Sequence, residues 1–210
     1  MAEELQTYLL EHFQWLHRHP ELALKEYETT NYVKNVLKQT EGVELLNLGL
    51  DTGVLAKIEG KEPGGVVAIR ADIDALPILE ESGLSYSSEN DGCMHACGHD
   101  GHASIGLTTA KILMELKEHL HGTLKIIFQP AEEGVRGAKS ICESGFLDDV
   151  DYIFAAHIMP RVKDYDLYFG MNESFATTKL DVIYHGVSTH AAESPQFGKN
   201  ALLSAANCII

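Results

Sequence analysis

Apolar residues first recur at three- and four-residue steps. Leu5, Leu9, Phe13 and Leu16 predict a helix over 3–18, which Pro20 ends. Tyr27, Val33 and Leu37 mark one face of a second helix over about 26–38. The pattern then shortens to β-like runs at 43–48 and 53–58, a turn at Glu62-Pro63-Gly64-Gly65, and a run at 66–69 that is apolar on both faces. Such a doubly apolar run suits a strand inside a parallel or mixed sheet. Ile105, Ile112, Leu113, Leu116 and Leu120 predict a long helix over 102–120. A strand at 124–128, a short helix at 137–144 and a strand at 151–156 follow. Strands alternating with helices define an α/β fold, a mixed, largely parallel sheet flanked by crossover helices.

Near residue 170 the pattern changes character. Residues 178–185 (TKLDVIYH) alternate apolar and polar positions, as a half-exposed antiparallel strand would. A polar loop and an apolar helix over 200–210 come next. Residues 1–170 are therefore expected to form one domain, and residues 171–210 to begin a smaller α+β domain. The last helix stops on Asn207-Cys208-Ile209-Ile210 with no glycine cap, basic last turn or polar exit, so the chain reads as truncated.

Composition narrows the class. With 210 residues, 45% hydrophobic and 22% charged, the chain has room for one globular domain and part of another. A net charge of −15 and the lack of any basic run argue against nucleic acid and anionic membranes as partners. The acidic, amphipathic N-terminus has no signal-peptide pattern, and no apolar run reaches membrane-spanning length. Four cysteines are too few for a secreted disulfide framework, so a reducing cytoplasm is the expected location.

Chemistry-bearing side chains gather just past three of the predicted strands. Arg70, Asp72 and Asp74 follow the first, Glu132 and Glu133 the second, and His157 the third. Open α/β sheets bind ligands in the crevice at the carboxyl ends of their strands, so these residues should share one edge. The stretch CMHACGHDGHAS (93–104) lies just before the long helix and could approach that edge. Cys97 and His99 are two residues apart, so in an extended segment both point to one side, and a thiolate with an imidazole suits zinc or a similar ion. The plainer reading is a buried thiol beside a hydrogen-bonded histidine. Cys93, His95 and His102 are weaker candidates, with His95 supporting a ligand rather than being one. Adjacent Glu132 and Glu133 leave the backbone in different directions, so one could bind a cation while the other deprotonates water. Two acids at a helix N-terminus would also account for them. His157 reads either as a ligand or as a satisfied core histidine. Asp72 or Asp74 could accept a hydrogen bond from a ligand histidine or cap local amides. Arg70 reads equally as a counter-ion.

HRHPEL (17–22), RADIDALP (70–77), MHACGHDGH (94–102), FQPAEEG (128–134), His157 after a strand and GVSTHAAESP (186–195) occur in this order. Together they resemble the co-catalytic metallopeptidases of the aminoacylase and carboxypeptidase type. The nearest branch is the amidohydrolases that include hippurate, auxin-conjugate and aminobenzoyl-glutamate hydrolases. FATTKLDVIYHG (175–186) and KNALLSAA (199–206) look particularly like the aminobenzoyl-glutamate members. The resemblance implies that Cys97, His99, Glu133 and His157 bind one or two divalent metal ions, zinc or manganese. It makes Glu132 the general base and proton shuttle. It gives His190, in a smaller lid or dimerisation domain, the polarisation of the scissile carbonyl. It also implies a further ligand histidine in a segment beyond residue 210, so the chain corresponds to roughly the N-terminal half of such a protein.

The catalytic candidates are thus Glu132, His190 and Asp74, and the metal candidates Cys97, His99, Glu133 and His157. The expected activity is metal-dependent hydrolysis of an amide bond between an acyl group, an aromatic one by the branch resembled, and an amino acid. The expected partners are that small-molecule substrate and, at full length, a second copy in a homodimer or homo-oligomer, with no nucleic acid and no membrane. Two rivals remain. The chain alone could bind metal without turnover, or Cys97 could act as a nucleophile activated by a histidine. A purely structural zinc site would close with four Cys or His ligands, whereas this set is rich in carboxylates.

Overall fold

A computed structural model describes residues 3, 5–47, 49–134, 137–159, 166, 168–170 and 180–209. The chain divides into two compact units, Met1–Arg161 and Val162–Ile210. The first unit is built on a mixed sheet of five strands: β1 (Glu44–Leu46), β2 (Val54–Glu59), β3 (Glu62–Asp72), β4 (His121–Gln129) and β5 (Tyr152–Ala155). Their spatial order is β1-β2-β4-β3-β5. β2 pairs antiparallel with both β1 and β4, while β3 pairs parallel with β4 and β5.

Period-two patterning explains why both faces of β2 and β4 are covered, whereas Ile153 and Phe154 of β5 are exposed. Val54, Ala56 and Ile58 on β2, with Ile126 and Phe128 on β4, face one cluster. That cluster is completed by Leu16 of α1 (Gln6–Arg18), Val33 and Leu37 of α2 (Tyr27–Lys38), and Ala103, Leu107 and Ala110 of α3 (His99–Glu115). Leu55 and Ile127 face the opposite cluster with Ile141 of α4 (Gly137–Glu143) and partly buried Phe146, Leu147 and Val150.

Three expectations change in detail. The long helix begins at His99, not 102, because Gly98 takes the left-handed conformation (φ 84°) that turns the chain into its first turn. Its buried face is small rather than bulky: Ile105 is 45% exposed, while Gly106 lies so close to Phe128 that a Cβ there would meet the ring at 3.0 Å. Close docking on the sheet selects Ala and Gly over the large aliphatics that dominate the periodicity. The anticipated turn at 62–65 lies inside β3, where the register shifts between Glu62 and Val66.

The second unit has a 3₁₀ turn at Pro195–Phe197, a helix α5 (Ala201–Ile209) and an antiparallel bridge between Val187 and Lys199. Residues 180–185 form no strand, and 178–179 lie outside the described residues. Alternation alone does not make a strand, since the ladder needs a neighbour, and Leu180, Val182 and Ile183 are exposed. Among the described residues no helix is long and apolar enough to cross a membrane.

Candidate metal centre

The three parallel neighbours β4, β3 and β5 end at one edge. Asp72, the last residue of β3, is in register with Gln129, the last of β4, and Arg70 is in register with Ala155, the last of β5. Just past these ends lie Asp74, the Pro130–Glu133 loop and His157. The Gly98 turn brings Cys97 and the start of α3 to the same edge, so Cys97 and His99 meet across a bend rather than along an extended segment.

Donor atoms of Cys97, His99 and His157 lie within 4.8 Å of one another, as do those of His99, Glu132 and Glu133. His99 belongs to both groups and stands at their centre. Its Nδ1 faces the Asp74 carbonyl at 2.9 Å and Asp74 Oδ1 at 3.1 Å, both acceptors, so Nδ1 carries a proton. The buried Nε2 has no hydrogen-bond partner among the described residues. His157 is fixed alike: Nδ1 donates to the Ile158 carbonyl at 2.8 Å, and Nε2 lies 3.5 Å from Cys97 Sγ. Two imidazoles are thus each anchored through Nδ1, which leaves Nε2 as the ligating nitrogen, that of His157 beside the Cys97 sulfur. A histidine metal ligand is built this way, with the far nitrogen held by an oxygen that fixes its tautomer. Asp74 does more than hold His99, because its Oδ2 accepts the Glu133 amide at 2.8 Å. The donor set and the orphaned nitrogen fit a divalent cation.

The electrostatics point the same way. Burial pushes the Cys97 thiol up to about 11, helped by Glu133, Glu132 and Asp72. A nucleophilic cysteine needs an electropositive setting, and this one is electronegative. A cation among these donors reverses the balance, since a coordinating thiol is deprotonated. Burial also works against the charged form of His99, yet Asp74 and Asp72 outweigh it and raise its pKa. Asp74 is correspondingly lowered, with the His99 ring and the Glu133 amide overcoming the penalty of burial.

Other candidates take other places. His102 comes within reach of Asp72 and His99, but its Nε2 accepts the Ile158 amide at 3.0 Å. The proton is therefore on Nδ1, which turns to Asp72 Oδ2 at 3.4 Å, so His102 braces the His157 turn instead of offering a lone pair. Asp72 also pairs with Arg70, whose Nε donates to Gln129 at 3.0 Å, making Arg70 a counter-ion at the strand ends. His95 is buried with neither ring nitrogen partnered among the described residues, and burial pushes its pKa down to about 4. Cys93 is buried outside the donor groups. His190 belongs to the second unit, where its Nδ1 accepts the Ala192 and Glu193 amides at 3.3 and 3.2 Å, leaving the proton on Nε2.

Two supports went unnoticed in the sequence. Glu26, at the head of α2, is fully buried and reaches the Ala131 amide at 2.8 Å. In the sequence it is one acid among many, at the start of the helix expected over 26–38. His17, in the HRHPEL motif, bonds Asp100 at 2.6 Å and Glu80 at 3.2 Å, clamping the residue next to His99. The signal for that clamp was the HRHPEL motif itself, which gave His17 no role.

Residues 68–206 match Peptidase family M20/M25/M40. The chain belongs to that family. It is 45% identical over 166 residues to a p-aminobenzoyl-glutamate hydrolase subunit of Escherichia coli, covering 76% of this chain and 38% of that protein. It is 39% identical over 196 residues to N-acetyl-L-cysteine deacetylase of Bacillus subtilis, covering 93% of this chain and 47% of that one. Among solved structures it resembles a dinuclear metal-binding M20 peptidase of Bacillus subtilis, with a TM-score of 0.74 and 44% identity over 77% of this chain and 45% of that one. The chain thus spans less than half the length of these M20 relatives, and the α/β sheet with its flanking helices is the fold they share.

Proposed function

We propose that the protein carrying this chain is a metal-dependent amidohydrolase that cleaves N-acyl amino acids. The observation that carries the proposal is the placement of the His99 and His157 rings, both held through Nδ1, with the Cys97 sulfur and the Glu132–Glu133 pair at the carboxyl ends of three neighbouring strands. Cys97, His99, Glu133 and His157 would hold one or two divalent ions, zinc or manganese, in keeping with the dinuclear relative. A bound ion would supply Lewis acidity towards a carbonyl and bring the pKa of water to about 7.

The remaining work falls to side chains of this chain. Glu132 is exposed beside the donors, where its carboxylate can take a proton from the attacking water and return it to the departing amine. Asp74 keeps His99 in the ligating tautomer and pins the Glu133 backbone. His190 presents Nε2–H, a donor suited to a carbonyl oxygen that gains negative charge in the transition state. The first unit acts as the catalytic domain and the second begins a lid or dimerisation domain, so a homodimer is part of the proposal. The substrate carries an aromatic acyl group and the amino acid glutamate or a relative, by likeness to the aminobenzoyl-glutamate enzyme. The location is the cytoplasm.

The test is Glu132→Gln, assayed against aminobenzoyl-glutamate and hippurate beside the parent protein. Metal content should stay unchanged while hydrolysis falls by roughly 10²–10⁴-fold, the usual worth of a general base. Chelation should abolish parental activity, and added zinc or manganese should restore it. Turnover by the Gln variant near the parental level overturns the assignment. Metal binding without hydrolysis of any acyl amino acid would leave a metal-binding domain, the second reading, which rests on the chain spanning only part of its relatives.

A further inference from the structure

The Pro130–Glu133 loop is held in a conformation that its own sequence does not favour. Ala131 has φ 52°, a left-handed backbone at a residue with a Cβ, and it is fully buried. Such a residue persists only where its surroundings over-determine it. Both sides of Ala131 are in fact held. Its carbonyl accepts the Gly137 amide at 2.9 Å, and Gly137 sits so close that a Cβ there would lie 1.9 Å from the Pro130 carbonyl oxygen. Its amide donates at 2.8 Å to Glu26 Oε1, reaching across 105 positions from the head of α2. Glu26 is fully buried, and its second oxygen, Oε2, has no hydrogen-bond partner among the described residues. The next two residues after Ala131 are Glu132 and Glu133.

We propose that Glu26 is a positioning residue for the metal centre: by accepting the Ala131 amide it locks the loop so that Glu132 and Glu133 point at His99 and Cys97. This rests on the reading of the site as a metal centre. Glu26 touches none of the donors and acts only through the backbone. Burial raises its pKa, but a carboxyl oxygen accepts a hydrogen bond whether or not the group is ionised, so the tether needs an oxygen rather than a charge. Asp74 holds the far side of the same loop through the Glu133 amide. The two carboxylates thus grip the loop at residues 131 and 133. Without Glu26, the Ala131 N–H would be a buried donor with no partner, and the loop would relax to satisfy it.

The test compares Glu26→Gln, which keeps an acceptor oxygen, with Glu26→Met, which has similar volume and none. Val33→Ala on the same helix serves as a control for lost stability, since Val33 is fully buried and far in role from the loop. Manganese affinity and hydrogen exchange at the Ala131 amide are measured on folded protein. The Met variant should lose roughly 10–100-fold in metal affinity, the usual effect of removing a support behind a ligand. Its Ala131 amide should lose protection. The Gln variant should stay within about threefold of the parent on both measures, a range small beside the effect of losing such a support. Val33→Ala should lower the unfolding temperature without moving metal affinity. If Glu26→Met binds manganese as tightly as the parent, or Glu26→Gln fails as badly as Met, the tether is wrong. If the parent itself takes up no metal, the site reading fails separately. The exchange of Ala131 then decides the tether alone, with lost protection in the Met variant upholding it and unchanged protection overturning it.

Discussion

At the scale of single residues, the decisive feature is which nitrogen of each histidine is committed. His99 and His157 give Nδ1 to oxygen acceptors, which leaves His99 Nε2 without a hydrogen-bond partner among the described residues and His157 Nε2 facing the Cys97 thiol, whereas His102 spends Nε2 on a backbone amide. Asp74 carries the most consequence here, because one carboxylate sets the His99 tautomer and also fixes the Glu133 amide. Replacing Asp74 with Ala should weaken zinc or manganese binding by roughly 10–100-fold, read by competition with a chromophoric chelator. The backbone carbonyl that also receives His99 Nδ1 remains in that variant, so the loss should stop short of complete. Affinity equal to the parent's would remove Asp74 from the centre. That Cys97, His99, the Glu132–Glu133 pair and His157 would come to one edge was legible in the sequence, from the donor-rich stretch before the long helix and from positions just past strands, while their division into ligands and base came only from the resemblance. The histidine tautomers were not legible, since the proton on an imidazole is set by acceptors far along the chain. Glu26 was hidden for the same reason: nothing near residue 26 announces a partner at residue 131.

At the scale of elements, the end of α1 is clamped to the start of α3 beside the site. His17 is in the last turn of α1 and Asp100 in the first turn of α3, with Glu80 completing the clamp from the intervening loop. The Asp100 hydrogen bond, joined by Glu80, raises His17 above its ordinary 6.5 against the opposing effect of burial. Burial would raise Glu80, yet Ser82, the Ser88 amide and His17 hold it down to about 2. The folded chain therefore keeps the His17 proton to higher pH than the unfolded chain does. The contribution of His17 is whole below pH 6.5 and is lost as pH rises through the folded value, whereas that of Glu80 is whole above pH 4.5 and is lost as pH falls towards about 2. Both act fully between those limits. The gap in unfolding temperature between the metal-free parent and His17→Gln should accordingly be widest between pH 4.5 and 6.5 and close as pH rises above that window. The variant should cost about 1.5–3 kcal/mol inside the window, the range of a hydrogen bond to a charged group. An unchanged pH profile in the variant would show the clamp to be energetically idle. Elements of this kind were readable in existence and type, because apolar periodicity reports which segments are helices and strands. The buried face of α3 was misread, because the periodicity follows large side chains while close docking on Phe128 depends on Ala103, Gly106 and Ala110.

At the scale of the whole molecule, the two units differ in what holds them. Both apolar clusters, on the two faces of the sheet, belong to the first unit. None of residues 180–209 is buried, and Leu202, Leu203 and Ile209 on α5 are 78%, 60% and 86% exposed. A nine-residue helix falls below the roughly 12–15 residues at which isolated helices become even marginally stable in water. Local stability follows buried apolar contact, so the units should open at very different free energies. Amides of α5 should exchange within about tenfold of unstructured-peptide rates, while those of Ile126, Ile127 and Phe128 in β4 wait for global unfolding and exchange at least ~10³-fold more slowly. Exchange followed by mass spectrometry on the 210-residue chain reads both at once. Protection of α5 that rises with protein concentration would mean a second copy covers its apolar face, as a dimerisation domain requires. Protection equal to that of β4 at every concentration would mean that the helix draws its stability from within this chain, and the division into a self-sufficient first unit and a dependent second one would fail.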